Sequence, residues 1–152
     1  MKIVVVADSH GNIPILNSIL AAETPFEYLV HCGDGVKDLN HIAIMPLVGT
    51  IGVSGNMDLG KGIARRRLVA EDIRGRRFLV VHGDVQGAHQ SFTGLREEAR
   101  VQRCSVVLFG HTHRKYLELG DPVLFNPGPA LQGMYGLVMV NEEITFLHRN
   151  LR

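Results

Sequence analysis

The sequence predicts a single α/β domain in which two sheets pack face to face with helices outside. Three observations support this prediction. The N-terminal half alternates short β-branched runs with helical patterns, and the C-terminal half is a succession of short strands separated by glycines. The 152 residues are 45% hydrophobic and 20% charged, which is enough for a buried core and is atypical of disordered chains. We therefore expect residues 1–152 to form one domain.

The elements of the N-terminal half follow from apolar spacing and from the residues that interrupt it. Residues 2–7 are typical of a strand buried on both faces. A helix is predicted to run to Glu23, because Asn12 can cap it and Pro14 is tolerated in its first turn. The sequence then predicts a strand over 28–31, a short helix over 37–45, and a third strand after Pro46 that runs down to Ser54 and Gly55.

The C-terminal half is predicted to consist mainly of strands. Residues 64–71 and 76–81 have the pattern of a hairpin joined across 72–75. A helix over 91–102 leads to a strand over 105–109. Four further strands are predicted over 114–119, 123–125, 137–140 and 144–148.

Composition limits the classes of function. Lys and Arg total 16 against 15 Asp and Glu, so the net charge is +1 and bulk binding of nucleic acid or anionic membrane is disfavoured. The isolated Cys32 and Cys104 favour a reducing compartment, and the apolar run at the N-terminus is too short for a signal peptide or a membrane helix. We therefore predict a cytoplasmic protein without a membrane partner. The 8 histidines are the unusual feature, because histidine is the commonest metal ligand.

Five predicted strands end in turns that place glycine beside side chains able to bind metals. These candidate ligands are Asp8, His10, Asp34, Asn56, His82, His111 and His113. Because α/β sheets bind ligands outside the carboxyl ends of their strands, we expect the turns to converge on one rim. Asp8 and His10 are two residues apart, and extended backbone at that spacing would point both side chains to the same side. The same argument applies to His111 and His113.

The donor set predicts two divalent ions. Oxygen and imidazole donors without thiolate favour manganese as the first choice, with nickel, iron or zinc as alternatives. If Asp34 is shared, each ion receives four protein ligands and the ions lie about 3.5–4 Å apart. Two ions, two carboxylates and a bridging hydroxide sum to about +1, which suits a phosphate anion.

Five motifs carry a resemblance to a known family. They are Asp8-x-His10, Gly33-Asp34, Gly55-Asn56, His82-Gly83 and Gly110-His111-Thr112-His113. In this order they resemble the calcineurin-like metallophosphoesterases. The short length, the segment 8–12 and Asn126-Pro127-Gly128 are similar to the small prokaryotic phosphodiesterase branch.

The resemblance implies a fold and a distribution of ligands. The implied fold is a four-layer α/β/β/α sandwich of two packed mixed sheets, with a dinuclear metal site at the strand ends. The implied ligands of one ion are Asp8, His10, Asp34 and His113, and those of the other are Asp34, Asn56, His82 and His111.

We therefore predict a phosphodiesterase in which a metal-bridging hydroxide attacks phosphorus in line with the leaving oxygen. Asn56 and His82 are expected to act both as ligands and in catalysis, and Asn12 is a candidate substrate contact. The partner would be a phosphate ester, with nucleotide-like compounds as one option, and a homodimer or higher homo-oligomer is compatible with the family. The alternatives are a phosphomonoesterase at the same site and a non-catalytic metal-binding interaction scaffold on the same fold.

Two positions depart from the family pattern. Many members have a histidine directly after the Gly-Asn pair, where it can protonate the leaving group; here that residue is Met57. Water, a good leaving group or another residue would have to compensate. Asp84 stands where relatives often have a second histidine, and we expect it to orient a ligand histidine. Neither departure removes a ligand.

The remaining polar residues have weaker signals. His31 is expected to be a core residue or to support a ligand, whereas surface or helix-face roles are expected for His41, His89 and His148. Lys61 lies in an incomplete phosphate-loop pattern and could touch a substrate phosphate. The arginines between Arg65 and Arg77 would alternate faces of a hairpin, so a solvated or subunit-contacting surface is favoured over a nucleotide-binding strip.

Overall fold

The computed structural model describes residues 1–151 and contains two five-stranded mixed sheets. The first sheet consists of β1 (Lys2–Val6), β2 (Tyr28–His31), β3 (Gly49–Gly52), β9 (Met134–Val140) and β10 (Ile144–Asn150) in the order β10-β9-β1-β2-β3. The second consists of β4 (Leu68–Ile73), β5 (Arg76–Val81), β6 (Val106–Leu108), β7 (Tyr116–Glu118) and β8 (Val123–Asn126) in the order β4-β5-β6-β8-β7. The helices are α1 (Ile13–Glu23), α2 (Asn56–Gly60) and α3 (Thr93–Gln102).

Side chains on alternate faces of the strands build four layers. Ile3 and Val5 of β1 join a buried cluster between the two sheets. Val4 and Val6 pack on the opposite face in the cluster that contains Leu16, Ile19 and Leu20 of α1. The first sheet thus packs against the second sheet on one face and against α1 on the other, as the predicted α/β fold requires.

The second sheet repeats this arrangement. Phe78 and Phe125 lie in the cluster between the sheets. Leu79, which follows Phe78 in β5, points to the opposite face and packs with Leu95 and Ala99 of α3. The layers run α1, first sheet, second sheet, α3, which is the four-layer sandwich that the resemblance implied.

The first helix begins and ends where the sequence predicts. The Oδ1 atom of Asn12 accepts a hydrogen bond from the backbone N–H of Ile15 at 3.2 Å and caps α1. Pro14 lies in the first turn, where its missing N–H costs no helical hydrogen bond.

The predicted helix over 37–45 is wrong in type and length. A 3₁₀ helix over Val36–His41 occupies this segment, and Ile42 is already extended. Ala43 donates its N–H to Oδ1 of Asn17 at 2.8 Å, so a side chain of α1 takes the hydrogen bond that a continuing helix would need. The five residues of α2 were not predicted, because so short a helix carries no periodic pattern.

The predicted hairpin is present with different boundaries. Arg74 and Gly75 both have positive φ, at 49° and 74°, and form a two-residue turn in place of the predicted connection over 72–75. The strand β4 begins at Leu68, later than the predicted 64. Arg65 and Arg66 instead hydrogen-bond to Ser54, at the end of the first sheet, at 2.8 and 2.9 Å.

Among residues 1–151, no helix has the length and apolar character required to cross a lipid bilayer.

The close contact of the two sheets generates a first prediction. A Cβ atom at Gly136 of β9 would lie 2.6 Å from Cζ of Phe125 in β8. Because that ring is fully buried, we expect Gly136→Ala to lower the free energy of unfolding by about 1–3 kcal/mol in chemical denaturation. Gly60→Ala is the matched control, since nothing lies within 4 Å of its added Cβ. Equal stability of the two variants would contradict this description of the sheet interface.

Candidate functional site

All of the predicted ligands lie at one rim, where strands of both sheets end. Within this rim, Nε2 of His82 is 3.3 Å from Oδ2 of Asp34, 3.1 Å from Oδ1 of Asn56 and 3.2 Å from Nδ1 of His111. At the other end of the group, Nε2 of His113 is 3.5 Å from Oδ1 of Asp8. The rings of His10 and His113 are 5.6 Å apart between centroids. The donors are therefore within reach of shared ions.

The backbone at this rim is left-handed and not extended. Within residues 1–151, 7 non-glycine residues have positive φ, and 5 of them are predicted ligands: Asp8, His10, Asp34, His111 and His113, with φ between 47° and 68°. The expectation that extended backbone points the paired side chains to one side is wrong. The chain instead curls tightly after each strand, so that side chains near in sequence converge on a small volume. Such backbone costs about 1–3 kcal/mol per residue and clusters at functional sites.

The carboxylate of Asp8 is the least compensated polar group of the site. The residue is fully buried, and neither carboxylate oxygen has a hydrogen-bond partner among the described residues. Burial raises the pKa of Asp8 to about 7, which the nearby His82 partly offsets. A buried carboxylate without donors is suited to hold a cation.

Asp34 and His82 form a buried pair whose pKa values are shifted in opposite directions. Burial raises the pKa of Asp34, but the hydrogen bond and charge of His82 outweigh it, so the net shift is downward. Burial lowers the pKa of His82, but Asp34 outweighs it and the net shift is upward. Each residue thus stabilises the charged form of the other while no metal competes for them.

His82 is oriented by its second ring nitrogen. Nδ1 lies 2.8 Å from the backbone carbonyl oxygen of Cys32 and must donate there, since a carbonyl can only accept. In the neutral ring this fixes the proton on Nδ1 and leaves the lone pair of Nε2 directed at Asp34 and Asn56. A ligand histidine requires this tautomer.

Asp58, which sequence analysis left without a role, joins two of the turns. Its carboxylate accepts hydrogen bonds from the backbone N–H groups of Asp34, Gly35 and Gly55 at 2.8, 2.9 and 2.8 Å. The close approach requires glycine at position 55, where an added Cβ would lie 2.7 Å from the backbone nitrogen of Asp34. No local signal in the sequence identifies these partners, because two of them are more than 20 residues away.

A second buried network supports the turn after β1. Gly33 donates its N–H to Nδ1 of His31 at 3.1 Å, so the ring carries its proton on Nε2, which is 2.8 Å from Oγ of Ser9. Ser9 in turn donates to Oδ2 of Asp38 at 2.6 Å, and Gly11 donates its N–H to the same oxygen at 2.9 Å. Burial lowers the pKa of His31 to about 4, consistent with a neutral ring. His31 therefore supports the site from behind, which was one of the two roles expected for it.

The loop over 110–113 is held by Asn126. Its Nδ2 donates to the backbone oxygen of Gly110 at 2.9 Å and to Oγ1 of Thr112 at 3.2 Å. Its Oδ1 accepts from the N–H of Gly128 at 2.9 Å. The motif Asn126-Pro127-Gly128 thus positions the turn that carries two candidate ligands.

His89 is exposed, as expected for a surface residue, and it also lies beside the candidate site. Its ring centroid is 4.3 Å from that of His111, and it lines a cavity of about 390 Å³ together with Met57 and five of the predicted ligands, all but Asp8 and His82. It lies in an exposed loop after β5, and no spacing pattern connects it to the other histidines. His148 was misassigned, since it lies on β10 and stacks on Phe125 at 4.8 Å.

Asp84 has a partner other than the expected histidine. Its carboxylate pairs with the guanidinium of Arg67, and among residues 1–151 it makes no hydrogen bond to a predicted ligand. Its charge raises the pKa of His111, although burial outweighs this and the net shift is downward. Asp84 thus acts on the site through its charge at a distance, and the expectation that it orients a ligand is wrong.

The cluster of arginines between Arg65 and Arg77 is not one surface. Arg65 bonds to Asn40, Arg67 to Asp84, and Arg77 to Asp72. These arginines are directed to separate partners, so they form no continuous strip; Arg65 and Arg67 precede β4 and lie outside the hairpin on which the sequence placed them.

The donor chemistry fits divalent ions. Two overlapping groups of carboxylate and imidazole donors could each hold an ion, one with Asp8, His10 and His113 and one with Asp8, Asp34 and His82. The residue common to both groups is Asp8, the carboxylate without hydrogen bonds. Burial lowers the pKa of both His111 and His113, so protons compete less with a metal at neutral pH.

Comparison of the sequence with known proteins finds one family and several relatives. A sequence model described as the calcineurin-like phosphoesterase superfamily domain matches residues 1–141. The chain is 32% identical over 136 residues to a probable metallophosphoesterase of Methanothermobacter thermautotrophicus, covering 84% of this chain and 76% of that protein. It is 29% identical over 130 residues to probable metallophosphoesterase YsnB of Bacillus subtilis, covering 84% and 74%.

Solved structures share the fold at low sequence identity. A predicted phosphoesterase from Streptococcus pneumoniae has a TM-score of 0.76 at 23% identity, covering 96% of this chain and 88% of that one. Vacuolar protein sorting 29 from Cryptosporidium parvum has a TM-score of 0.79 at 16% identity, covering 99% and 91%. An archaeal phosphodiesterase has a TM-score of 0.71 at 20% identity, covering 98% and 100%.

The raised pKa of Asp8 predicts an unusual pH dependence for the metal-free protein. Between pH 3.8 and about 7 the unfolded chain releases this proton and the folded chain retains it, so the free energy of unfolding falls as pH rises through that window. Asp8→Asn removes the buried charge and should make the metal-free protein more stable than wild type at pH 8, by about 1–4 kcal/mol, with the difference vanishing near pH 4.

Chemical denaturation with a chelator present measures this difference. Added manganese should then stabilise the wild type and not the variant. A metal-free Asp8→Asn protein less stable than wild type at pH 8 would contradict the assignment of Asp8 as an uncompensated carboxylate.

Proposed function

The chain belongs to the calcineurin-like phosphoesterase superfamily, and on that premise we propose that it is a metal-dependent phosphodiesterase. The observation that carries the proposal is the fully buried Asp8 carboxylate, which has no hydrogen-bond partner among the described residues and lies among imidazole donors. The ligands proposed for two divalent ions are Asp8, His10, Asp34, Asn56, His82, His111 and His113. Ions bound there would polarise the phosphoryl oxygens and lower the pKa of bound water.

The protein's own contribution is to hold the donors in place before substrate arrives. Asp58 fixes the backbone of Asp34, and Cys32 fixes the ring of His82, so neither donor has to reorganise. Asn56 directs its Oδ1 toward His82, and its amide N–H groups can then donate to an oxygen of the phosphate. Asn56 and His82 are therefore our candidates for residues that are both ligands and catalytic.

Space around the site favours a diester over a monoester. The site cavity shares His89 and Thr112 with a cleft on one side, and it shares His10 and Met57 with a second cleft on another side. A phosphodiester has two substituents on phosphorus and can occupy both clefts, whereas a monoester can occupy only one. The archaeal phosphodiesterase of similar fold is consistent with this choice.

The principal rival is a non-catalytic scaffold, since vacuolar protein sorting 29 shares the fold. Met57 favours that alternative, because it lines the cavity at a position where it offers no proton. The complete set of donors and the buried Asp8 favour an enzyme. Asn12, a candidate substrate contact, uses its Oδ1 to cap α1, so any substrate contact would come from its amide N–H groups.

The donor types indicate the metal, and the free cysteines indicate the compartment. Mixed carboxylate, amide and imidazole donors suit manganese, with nickel, iron or zinc as alternatives. Cys32 and Cys104 are both free and buried, which is compatible with the proposed cytoplasmic location.

Removal of a proposed ligand tests the mechanism. We expect Asp34→Ala and His82→Ala each to lower kcat/KM for an aryl phosphodiester by at least about 100-fold, because each substitution deletes a donor to the ions. His41→Ala is the control, since this exposed histidine ends the 3₁₀ helix outside the site. Manganese binding by calorimetry should weaken in parallel in the two site variants. Full activity in either one, or in metal-stripped wild type, would overturn the mechanism.

A panel of metals and substrates tests the reaction class. With manganese, nickel, iron, zinc and magnesium supplied separately, we expect aryl phosphodiesters to be hydrolysed with a higher kcat/KM than the corresponding monoesters. Chelation should abolish the activity and re-addition of metal should restore it. Hydrolysis of monoesters alone would refute the phosphodiesterase assignment, and no hydrolysis with any metal would favour the scaffold.

A further inference from the structure

We propose that the substrate is a short single-stranded oligonucleotide that crosses the site from one basic cleft to the other. This inference rests on the proposed phosphodiesterase function. It extends that function by naming the chemistry on each side of the scissile bond: a base and a phosphate on one side, and a further phosphate on the other.

The first cleft is continuous with the site. It has a volume of about 470 Å³, which is in the range of small-molecule sites and sufficient for a nucleotide. Two of its lining residues, His89 and Thr112, also line the site cavity, so a group in the cleft can be bonded to a phosphate in the site.

The lining of this first cleft combines cations with aromatic rings. Arg114 and Lys115 are exposed, and neither pairs with an acidic side chain among the described residues. Phe92 and Tyr116 lie beside them with ring centroids 4.5 Å apart, and both are half-buried. Positive charge next to aromatic faces is how proteins bind single strands without sequence preference, because the cations contact phosphates and the rings stack on bases.

The second cleft offers charge without aromatic rings. It has a volume of about 290 Å³ and presents the exposed Lys37 and Lys61, and it shares His10 with the site. Asp38 and Asp58 also line it, but both carboxylates accept hydrogen bonds from backbone N–H groups, which offset their negative charge. This side suits a phosphate of the continuing chain more than a base.

The arginines of the hairpin do not offer an equivalent path. Arg67 and Arg77 are paired with carboxylates. Arg66, just before the hairpin, and Arg76, in β5, are exposed and line neither of the two clefts beside the site. An oligonucleotide bound by these arginines would therefore not lie in the clefts that adjoin the proposed metal ligands. This difference supplies a control with the same change of charge.

The experiment compares three double variants of the manganese-loaded protein. Arg114→Ala/Lys115→Ala and Lys37→Ala/Lys61→Ala alter the two clefts, and Arg66→Ala/Arg76→Ala is the charge-matched control. All of these side chains are exposed, so unchanged melting temperatures will verify folding. The first measurement is the ratio of kcat/KM for a short oligothymidylate to kcat/KM for a small aryl phosphodiester. We expect the ratio to fall at least about tenfold in each cleft variant and less than about twofold in the control.

Binding provides a second measurement that does not need turnover. Fluorescence anisotropy of a labelled oligothymidylate with phosphorothioate linkages gives its affinity at several salt concentrations. Loss of two phosphate contacts should reduce the slope of log affinity against log salt by about 1.4 in each cleft variant. If no phosphodiester is hydrolysed but this binding pattern holds, the proposed function fails, and the oligonucleotide is a ligand of the two clefts and not a substrate. Cleft variants that match the control in both ratio and slope would overturn the inference.

Discussion

The site depends on turns that force L-amino acids into left-handed backbone. Asp8, His10 and Asp34 adopt this conformation in successive turns at the rim of the first sheet. The turns hold one another, because Asp8 donates its N–H to the carbonyl of Gly33 at 2.9 Å and His10 donates to that of Asp34 at 3.1 Å. Neither turn is independent of the other, so the unfavourable backbone is maintained by the tertiary structure and not by local sequence.

Buried acidic residues divide into two kinds by the way their charge is compensated. Asp58 accepts three backbone N–H groups, and Asp38 accepts a hydroxyl and a backbone N–H. Such carboxylates are satisfied within the protein and serve to fix the turns. Asp8 is as buried as these residues yet has no donor among residues 1–151. The contrast separates Asp58 and Asp38, which fix the turns, from Asp8, whose carboxylate is left free for an external cation.

Sequence reasoning predicted the parts of the molecule that depend on local pattern or on general topology. The strand at Lys2–Val6 and the helix capped by Asn12 follow from apolar spacing and cap chemistry. The convergence of the candidate ligands follows from the rule that strand ends share an edge. Asp58 and His89 were missed, because the first acts on backbone groups that are distant in sequence and the second lies on an irregular loop. The handedness of the turns was also missed, since it depends on hydrogen bonds between separate strands.

The division of the donors between the two sheets bears on how the protein is assembled. The first sheet contributes the oxygen donors and one imidazole, and the second contributes the other three imidazoles through His82, His111 and His113. In the first sheet, the central strand β1 lies between β2 and β9. This sheet is therefore complete only when residues 134–140 have joined it. An ion bound by donors from both sheets would therefore require that the two sheets are packed together. Metal affinity would therefore be coupled to folding, since an incompletely folded chain lacks the full set of donors.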